Sequence, residues 1–517
     1  METTNARTAQ HFQSSEPVPL PQHTDYDSQL APVPGLVETD AQAIGEAVES
    51  ARRAFEPALD LASRLERLDR LEALVREWEA PLLAALEQDL GKSATEAWTT
   101  ELGTVLGEIQ HIRRLLPGWI KPTKAPGSAV LAPSHAWVDH QALGTVLIVA
   151  PWNYPVQLIL SPLVGALAAG NTAVVKPSEV TPTVASVLAD AIREHLGDCV
   201  GVVTGGVAET TRVLQYRFDH IFYTGNATVG RVVMRAAAEY LTPVTLELGG
   251  KSPVWVDDTV DLEAAAHRIA WGKFLNAGQT CVAPDYVMGP AQVLAQLEPL
   301  LESAVRSLYG RDPATSDSYG RIVTERHLSR LVDQLAQVAA PDVVFGGAHD
   351  LEQRYLAPTV IRESTDGPLM QEEIFGPVLP LVPMPDHLQA AAWVNGGEKP
   401  LALYVFSQDN HVLSTFREAT SSGGMCVGSP VIHLAHPHLP FGGVGESGMG
   451  SYHGVHSLRT FSHERAVLEK PLKPDTLKVV YPPYTAWKAK GAKVMMGLPS
   501  PSAAVRKLFG GSSTRPS

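Results

Sequence analysis

Gly144-Thr-Val-Leu-Ile-Val-Ala-Pro-Trp-Asn-Tyr-Pro155 is an unbroken apolar run that halts at proline-bounded aromatic and amide residues. A strand with one solvated face alternates apolar and polar residues; a continuous run suits a strand covered on both faces. The downstream pattern repeats the theme. It predicts a helix over 158–169, a strand over 171–176, a helix over 182–196, a strand over 219–224 and a helix over 229–238. This β-α-β order predicts a doubly wound parallel sheet with right-handed crossovers.

A second alternating series runs from about Pro253 to Gly445, with helical periodicity over 262–274 and 292–308. The fold class is therefore α/β, with two doubly wound α/β domains. Apolar spacing also predicts two amphipathic helices upstream, over 41–55 and 61–90. Residues 128–142 and 460–480 read as strands outside either series, forming a small β arm suited to subunit pairing. The expected division is a flexible arm at 1–37, a first domain from 38–122 with 143–248, and a second domain at 249–445. The β arm and closing segment come from 123–142 with 446–484, and 485–517 is a basic flexible tail.

A chain of 517 residues with 44% hydrophobic residues can bury a large core, while its formal charge of −14 argues against a nucleic-acid partner. Three scattered cysteines, Cys199, Cys281 and Cys426, form neither a disulfide framework nor a zinc pattern, so no metal is expected. A reducing, cytoplasmic setting fits that usage. The first residues lack a secretory pattern, and no apolar stretch approaches the roughly 18–20 residues a membrane span needs. After Asp475 come seven cations and no acid. A solvated tail explains them; weak docking to anionic lipid through 494–498 and 505–509 is the sharper alternative.

Two residues suggest chemistry directly. An unpaired cysteine is usually a small buried hydrophobe, but Cys281 follows Gly278-Gln-Thr and precedes Asp285, a polar loop context. Glu247, between Leu246 and Leu248, is an acid in an apolar strand. Either it serves a structural ion pair, or its pKa is raised for proton transfer. Together they suggest a thiol nucleophile and a base that activates water.

Glycine-rich stretches sort by context. Gly443-Val-Gly-Glu-Ser-Gly matches the dinucleotide fingerprint by letters but has no β-α-β unit behind it, so it reads as a tight loop. Gly225-Asn-Ala-Thr-Val-Gly230 follows a strand and opens a helix whose amides suit a pyrophosphate. A P-loop nucleotide hydrolase would need Lys then Ser or Thr; Arg231-Val232 stands there instead. Lys176-Pro-Ser-Glu179 lies at the carboxyl edge of a strand, where an acid suits ribose hydroxyls and disfavours a 2′-phosphate; taken alone, the tetrapeptide equally reads as a solvated turn.

In order along the chain, Pro151-Trp-Asn-Tyr-Pro, Lys176-Pro-Ser-Glu, Gly225 to Gly230, Glu247-Leu-Gly-Gly-Lys-Ser-Pro, Gly278-Gln-Thr-Cys and Glu372-Glu-Ile-Phe-Gly-Pro resemble the aldehyde dehydrogenase superfamily over about residues 40–484. Ala283-Pro-Asp-Tyr and Met449-Gly-Ser-Tyr-His-Gly resemble its class 3, fatty-aldehyde branch. The resemblance implies a Rossmann-like cofactor domain, a catalytic domain, an oligomerisation arm and a homodimer. It implies NAD(P)-dependent oxidation of medium- to long-chain aliphatic or aromatic aldehydes to carboxylic acids.

By that resemblance Cys281 attacks the aldehyde, Asn153 with the Cys281 amide holds the oxyanion, and Glu247 activates water against the thioester. Lys176 and Glu179 take the adenosine ribose of NAD, with NADP also open. Gly225, Asn226, Ala227, Thr228, Val229 and Gly230 approach the pyrophosphate, and Glu373 and Phe375 flank the nicotinamide ribose. Tyr154 and Trp271 line the substrate tunnel. The tail departs from membrane-anchored relatives, so no stable membrane anchor is expected. The rivals are a CoA-acylating dehydrogenase, which Glu247 disfavours, a P-loop nucleotide hydrolase, and a scaffold without turnover.

Overall fold

A computed structural model describes residues 35–497. Its first half is a six-stranded sheet in the order Gly448–Met449, Val244–Glu247, His220–Thr224, Thr145–Val149, Thr172–Lys176, Val200–Val202. All neighbours are parallel except Gly448–Met449, which runs antiparallel with Gly448 opposite Glu247. Thr145–Val149 is fully buried, as its unbroken apolar run requires. The chain winds outward from it in both directions, so the switch point lies between Thr145–Val149 and His220–Thr224.

Register then aligns the carboxyl ends. Val149 is opposite both Lys176 and Tyr223, and Thr224 is opposite Glu247. Asn153, Glu179, Gly225 and Glu247 therefore share one edge of one sheet. The helix Gln157–Ala169 is buried at every position because Leu61–Glu77 and Gly103–Trp119 pack over it. It ends at Gly170, whose φ of +95° supplies the left-handed cap.

The second sheet has seven strands in the order Val343–Phe345, Thr359–Arg362, Val378–Pro383, Tyr286–Gly289, Pro253–Val256, Ala402–Phe406, Gly424–Val427. Only Val343–Phe345 runs antiparallel to its neighbour. Cys281 precedes Tyr286–Gly289, and Glu373 precedes Val378–Pro383. This half thus contributes the amino ends of its strands, facing the carboxyl ends of the first sheet.

Several expectations need correction. The helix expected over 61–90 breaks at Trp78 into Leu61–Glu77 and Glu79–Leu90. Strand in 128–142 is confined to His135–Ala142, after a 3-10 turn at Ala129–Leu131. In 460–480 only Ser462–Glu469 is strand, followed by a 3-10 turn at Thr476–Val479. These strands and Thr123–Lys124 form a three-stranded sheet. Within 446–484, Gly448–Met449 joins the first sheet and Val455–Thr460 packs on Gln157–Ala169.

At the chain ends, Val37 O accepts the Thr204 hydroxyl at 2.7 Å, and Thr39 N–H donates to Thr204 O at 2.9 Å. The last residues of the expected arm are therefore tied to the first domain. In the tail, Ala486–Met496 is helical; the remainder of the arm and 498–517 lie outside the described residues.

Candidate active site

The segment ahead of Cys281 has an unusual backbone. Asn276 and Ala277 both have φ +51°, and Gly278 has φ +78°. Left-handed conformation costs a non-glycine residue about 1–2 kcal/mol, so two in succession require compensation. Glu96 accepts the Asn276 N–H at 2.9 Å, and the Asn276 amide donates to Asn153 O and Gln279 O at 2.8 and 3.1 Å. Gln279 donates to Arg321 O and accepts from the Val323 N–H, both at 2.9 Å. A Cβ on Gly278 would lie 2.3 Å from Gly376 O, so glycine is required twice over.

Asn153 Nδ2 donates to Gln279 O at 3.0 Å, which uses one of its two N–H groups. The other remains for an oxygen beside Cys281. Asn153 is itself held from behind by a buried pair that sequence reading missed. Lys92 Nζ donates to Glu101 Oε1 at 2.6 Å and to Asn153 O at 2.9 Å, with both charged side chains 0% exposed. Glu101 Oε2 accepts the Val156 and Gln157 amides at 2.9 and 3.0 Å, at the start of Gln157–Ala169. Glu101 reaches them from a π-helical turn, Trp98–Leu102.

Removing one partner of a fully buried pair leaves an uncompensated charge, typically at about 3–5 kcal/mol. Lys92→Met is therefore expected to lose stability of that order in urea titration. A loss below about 1 kcal/mol would show that the pair does not hold the site.

Electrostatics set Cys281 apart. Its thiol is pushed up to about 12, by desolvation first and then by Glu373 and Glu247. Glu247 is 3% exposed, and neither carboxylate oxygen has a hydrogen-bond partner among the described residues. Desolvation holds its pKa well above the usual 4.5. Burial, reinforced by Asp285, pushes Glu373 up to about 8. Negative charge on Glu373 or Glu247 therefore opposes ionisation of the Cys281 thiol.

The loop carrying Glu373 is clamped by further unforeseen residues. Lys251 pairs with Asp285 and donates to Leu369 O and Glu372 O, each at 2.8 Å. Asp285 accepts the Ile374 N–H at 3.0 Å, and Arg330 donates to Ile374 O at 2.6 Å. Phe375, at φ +49°, sets its ring against Trp152 with centroids 5.4 Å apart.

The carboxyl edge of the first sheet fits a dinucleotide. Lys176 Nζ and Glu179 Oε2 pair at 2.6 Å, with Glu179 still partly exposed toward the edge. Asn226 caps the helix Ala227–Glu239 by accepting the Val229 N–H at 2.9 Å, so this helix opens two residues earlier than expected. The Val229 amide is thereby occupied, and Gly230 is turned to Leu248, where a Cβ would stand 3.0 Å from its side chain. The first-turn amides of Ala227 and Thr228 are left for a ligand. A Cβ on Gly249 would lie 2.1 Å from Glu373 Oε2, so a bare backbone receives that carboxylate.

A cavity of about 570 Å³ opens between the helix Gly103–Trp119 and the segment around Leu434. Neither Tyr154 nor Trp271 lines it. Tyr154 is buried, with its hydroxyl 2.6 Å from Thr280 Oγ1 and Lys92 Nζ 4.0 Å over its ring. Trp271 is partly buried on Leu262–Phe274. Ser161 and His453, both buried, also line the cavity.

A thiol and a desolvated carboxyl set between a dinucleotide-binding edge and a second α/β sheet define an oxidoreductase that works through a covalent sulfur intermediate. Residues 27–467 match the aldehyde dehydrogenase family, and the chain belongs to it. It is 45% identical over 439 residues to mouse aldehyde dehydrogenase family 3 member A2, covering 84% of this chain and 90% of that one. It is 44% identical over 448 residues to the dog dimeric NADP-preferring aldehyde dehydrogenase, covering 86% and 98%. Among solved structures, substrate-bound Staphylococcus aureus AldH superposes with a TM-score of 0.84 at 41% identity, covering 88% and 99%. The protein is an aldehyde dehydrogenase that uses NAD(P).

Proposed function

We propose that the enzyme converts medium- to long-chain aliphatic or aromatic aldehydes to free carboxylic acids, with hydrolysis of a Cys281 thioester completing each turnover. The observation that carries this reading is Glu247: a desolvated carboxyl with both oxygens unpartnered among the described residues is a base held in reserve for water.

Cys281 sulfur, once its proton has passed to a neighbouring carboxylate, bonds to the aldehyde carbon. The carbonyl oxygen takes up the negative charge and is met by the free Asn153 amide N–H and the Cys281 backbone N–H. NAD(P)+, when bound at the Lys176, Glu179 and Gly225 edge, supplies the acceptor for the hydride leaving that carbon. Water then adds to the thioester, Glu247 takes its proton, the carbon–sulfur bond breaks and the acid departs.

NAD is the preferred cofactor in this proposal, because Glu179 would face a 2′-phosphate with like charge. The division of labour gives 38–122 with 143–248 to the cofactor and 249–445 to catalysis. Homodimer formation is proposed through the arm: Ser462–Glu469 pairs with His135–Ala142 on one side and has an unpaired outer edge among the described residues. No described helix is long and apolar enough to cross a membrane. Exposed Trp487 beside Lys488 and Lys490 supports a weak lipid contact of the tail, and cysteine usage supports a cytoplasmic setting.

The test is an aldehyde panel with NAD or NADP, with and without CoA. Free acid formed without CoA is the expected product. Strict dependence on CoA, with acyl-CoA as product, would remove Glu247 from its role.

A further inference from the structure

Resting on the aldehyde-oxidation reading, we propose that Arg114 determines substrate choice by pairing with a carboxylate at the far end of the aldehyde. Medium-chain aldehydes bearing a terminal carboxylate are then the preferred substrates.

The cavity walls differ in character. Thr104, Glu108, His111 and Arg114 fall three or four residues apart on Gly103–Trp119, so they form one polar stripe along the cavity. Leu434, Ala435 and Pro437 make the facing wall apolar. A plain hydrocarbon chain would strip water from the polar stripe without replacing its hydrogen bonds. A chain with an apolar body and a charged end satisfies both walls.

The Ser161 side of the cavity connects to the chemistry. Gln157 Nε2 donates to Ser161 Oγ at 3.3 Å, and Gln157 also bonds to Tyr452, whose hydroxyl is raised by burial and by the charges of Glu247 and Cys281. Arg114 sits at the outer end, exposed. From Glu108 to Arg114 the helix rises about 9 Å, which sets the scale of the substrate chain.

Charge partners isolate Arg114. Its neighbour Arg113 is bonded to Asp69 and Glu72 at 2.8 and 2.7 Å on the other side of the helix. Arg114 has no hydrogen bond or ion pair among the described residues, in a chain with 55 acids and 41 Lys and Arg. Glu108, the one acid lining the cavity among the described residues, uses Oε1 to accept the Gly454 N–H at 2.7 Å. Desolvation first, then His438 and Arg114, keep His111 below its usual pKa, so that ring is a neutral neighbour. A guanidinium left open at a cavity mouth matches a carboxylate in bidentate geometry.

The experiment compares kcat/KM for a medium-chain aldehyde with a terminal carboxylate against its methyl ester, in wild type, Arg114→Gln and Arg114→Lys. Wild type is expected to prefer the acid. In Arg114→Gln that preference should fall by about tenfold, through KM rather than kcat, with partial retention in Arg114→Lys. Calorimetric binding of the corresponding dicarboxylate should weaken in parallel. An unchanged preference, or equal dicarboxylate binding in wild type and Arg114→Gln, overturns the proposal. Arg114-dependent dicarboxylate binding without oxidation of either aldehyde would instead sink the oxidation reading and leave the anion site standing.

Discussion

Cys281→Ala is expected to abolish aldehyde oxidation, lowering turnover on the order of a millionfold, as loss of a covalent nucleophile does elsewhere. Formation of reduced cofactor at 340 nm checks it. Asn153→Ala removes one donor and should slow turnover by roughly a hundredfold to a thousandfold. The gap between these effects separates forming the carbon–sulfur bond from stabilising its oxyanion. Because the thiol is pushed up to about 12, alkylation of Cys281 by iodoacetamide in the cofactor-free enzyme should be slow near neutrality and accelerate with pH. Aldehyde oxidation surviving in Cys281→Ala would end the nucleophile assignment.

Glu247→Gln carries the second large effect. Acylation can still proceed, so pre-steady-state kinetics should show a burst of about one reduced cofactor per active site. Steady turnover should then fall by about a hundredfold to ten-thousandfold. A linear progress curve at the wild-type rate would place the base elsewhere. Stability should move the other way with pH. A carboxyl whose folded pKa lies above 4.5 binds more protons folded than unfolded, so its contribution declines as pH rises from about 4.5 toward the raised value. Within that window the slope approaches about 1.4 kcal/mol per pH unit. The melting temperature of Glu247→Gln, relative to wild type, is therefore expected to climb as pH rises above about 4.5.

The placement of the candidate residues was legible in the sequence where motif and element agreed. The run at 144–150 demanded a strand buried on both faces, and its register placed Asn153, Lys176 and Glu247 at a common edge. The supporting residues were hidden for a physical reason. Lys92 in Gly-Lys-Ser and Glu101 in Thr-Thr-Glu-Leu look solvated, because only tertiary packing brings them together at full burial. One signal was available: Glu101 and Glu108 share helical spacing with Val105, Ile109 and Ile112, all buried. Charges on an apolar stripe point to buried partners. The Lys251 and Asp285 clamp, joining residues 34 apart, offered no such periodic clue.

The left-handed passage through Asn276, Ala277 and Gly278 has an evolutionary consequence. Such a backbone tolerates few alternatives, so the sulfur's address is frozen against drift. The stripe from Thr104 to Arg114 lies on an ordinary helix, where side chains can be exchanged without disturbing that passage. Selection can thus revise which molecules are admitted while inheriting the reaction intact, and the separation of a rigid turn from a permissive helix makes this scaffold ready for new diets.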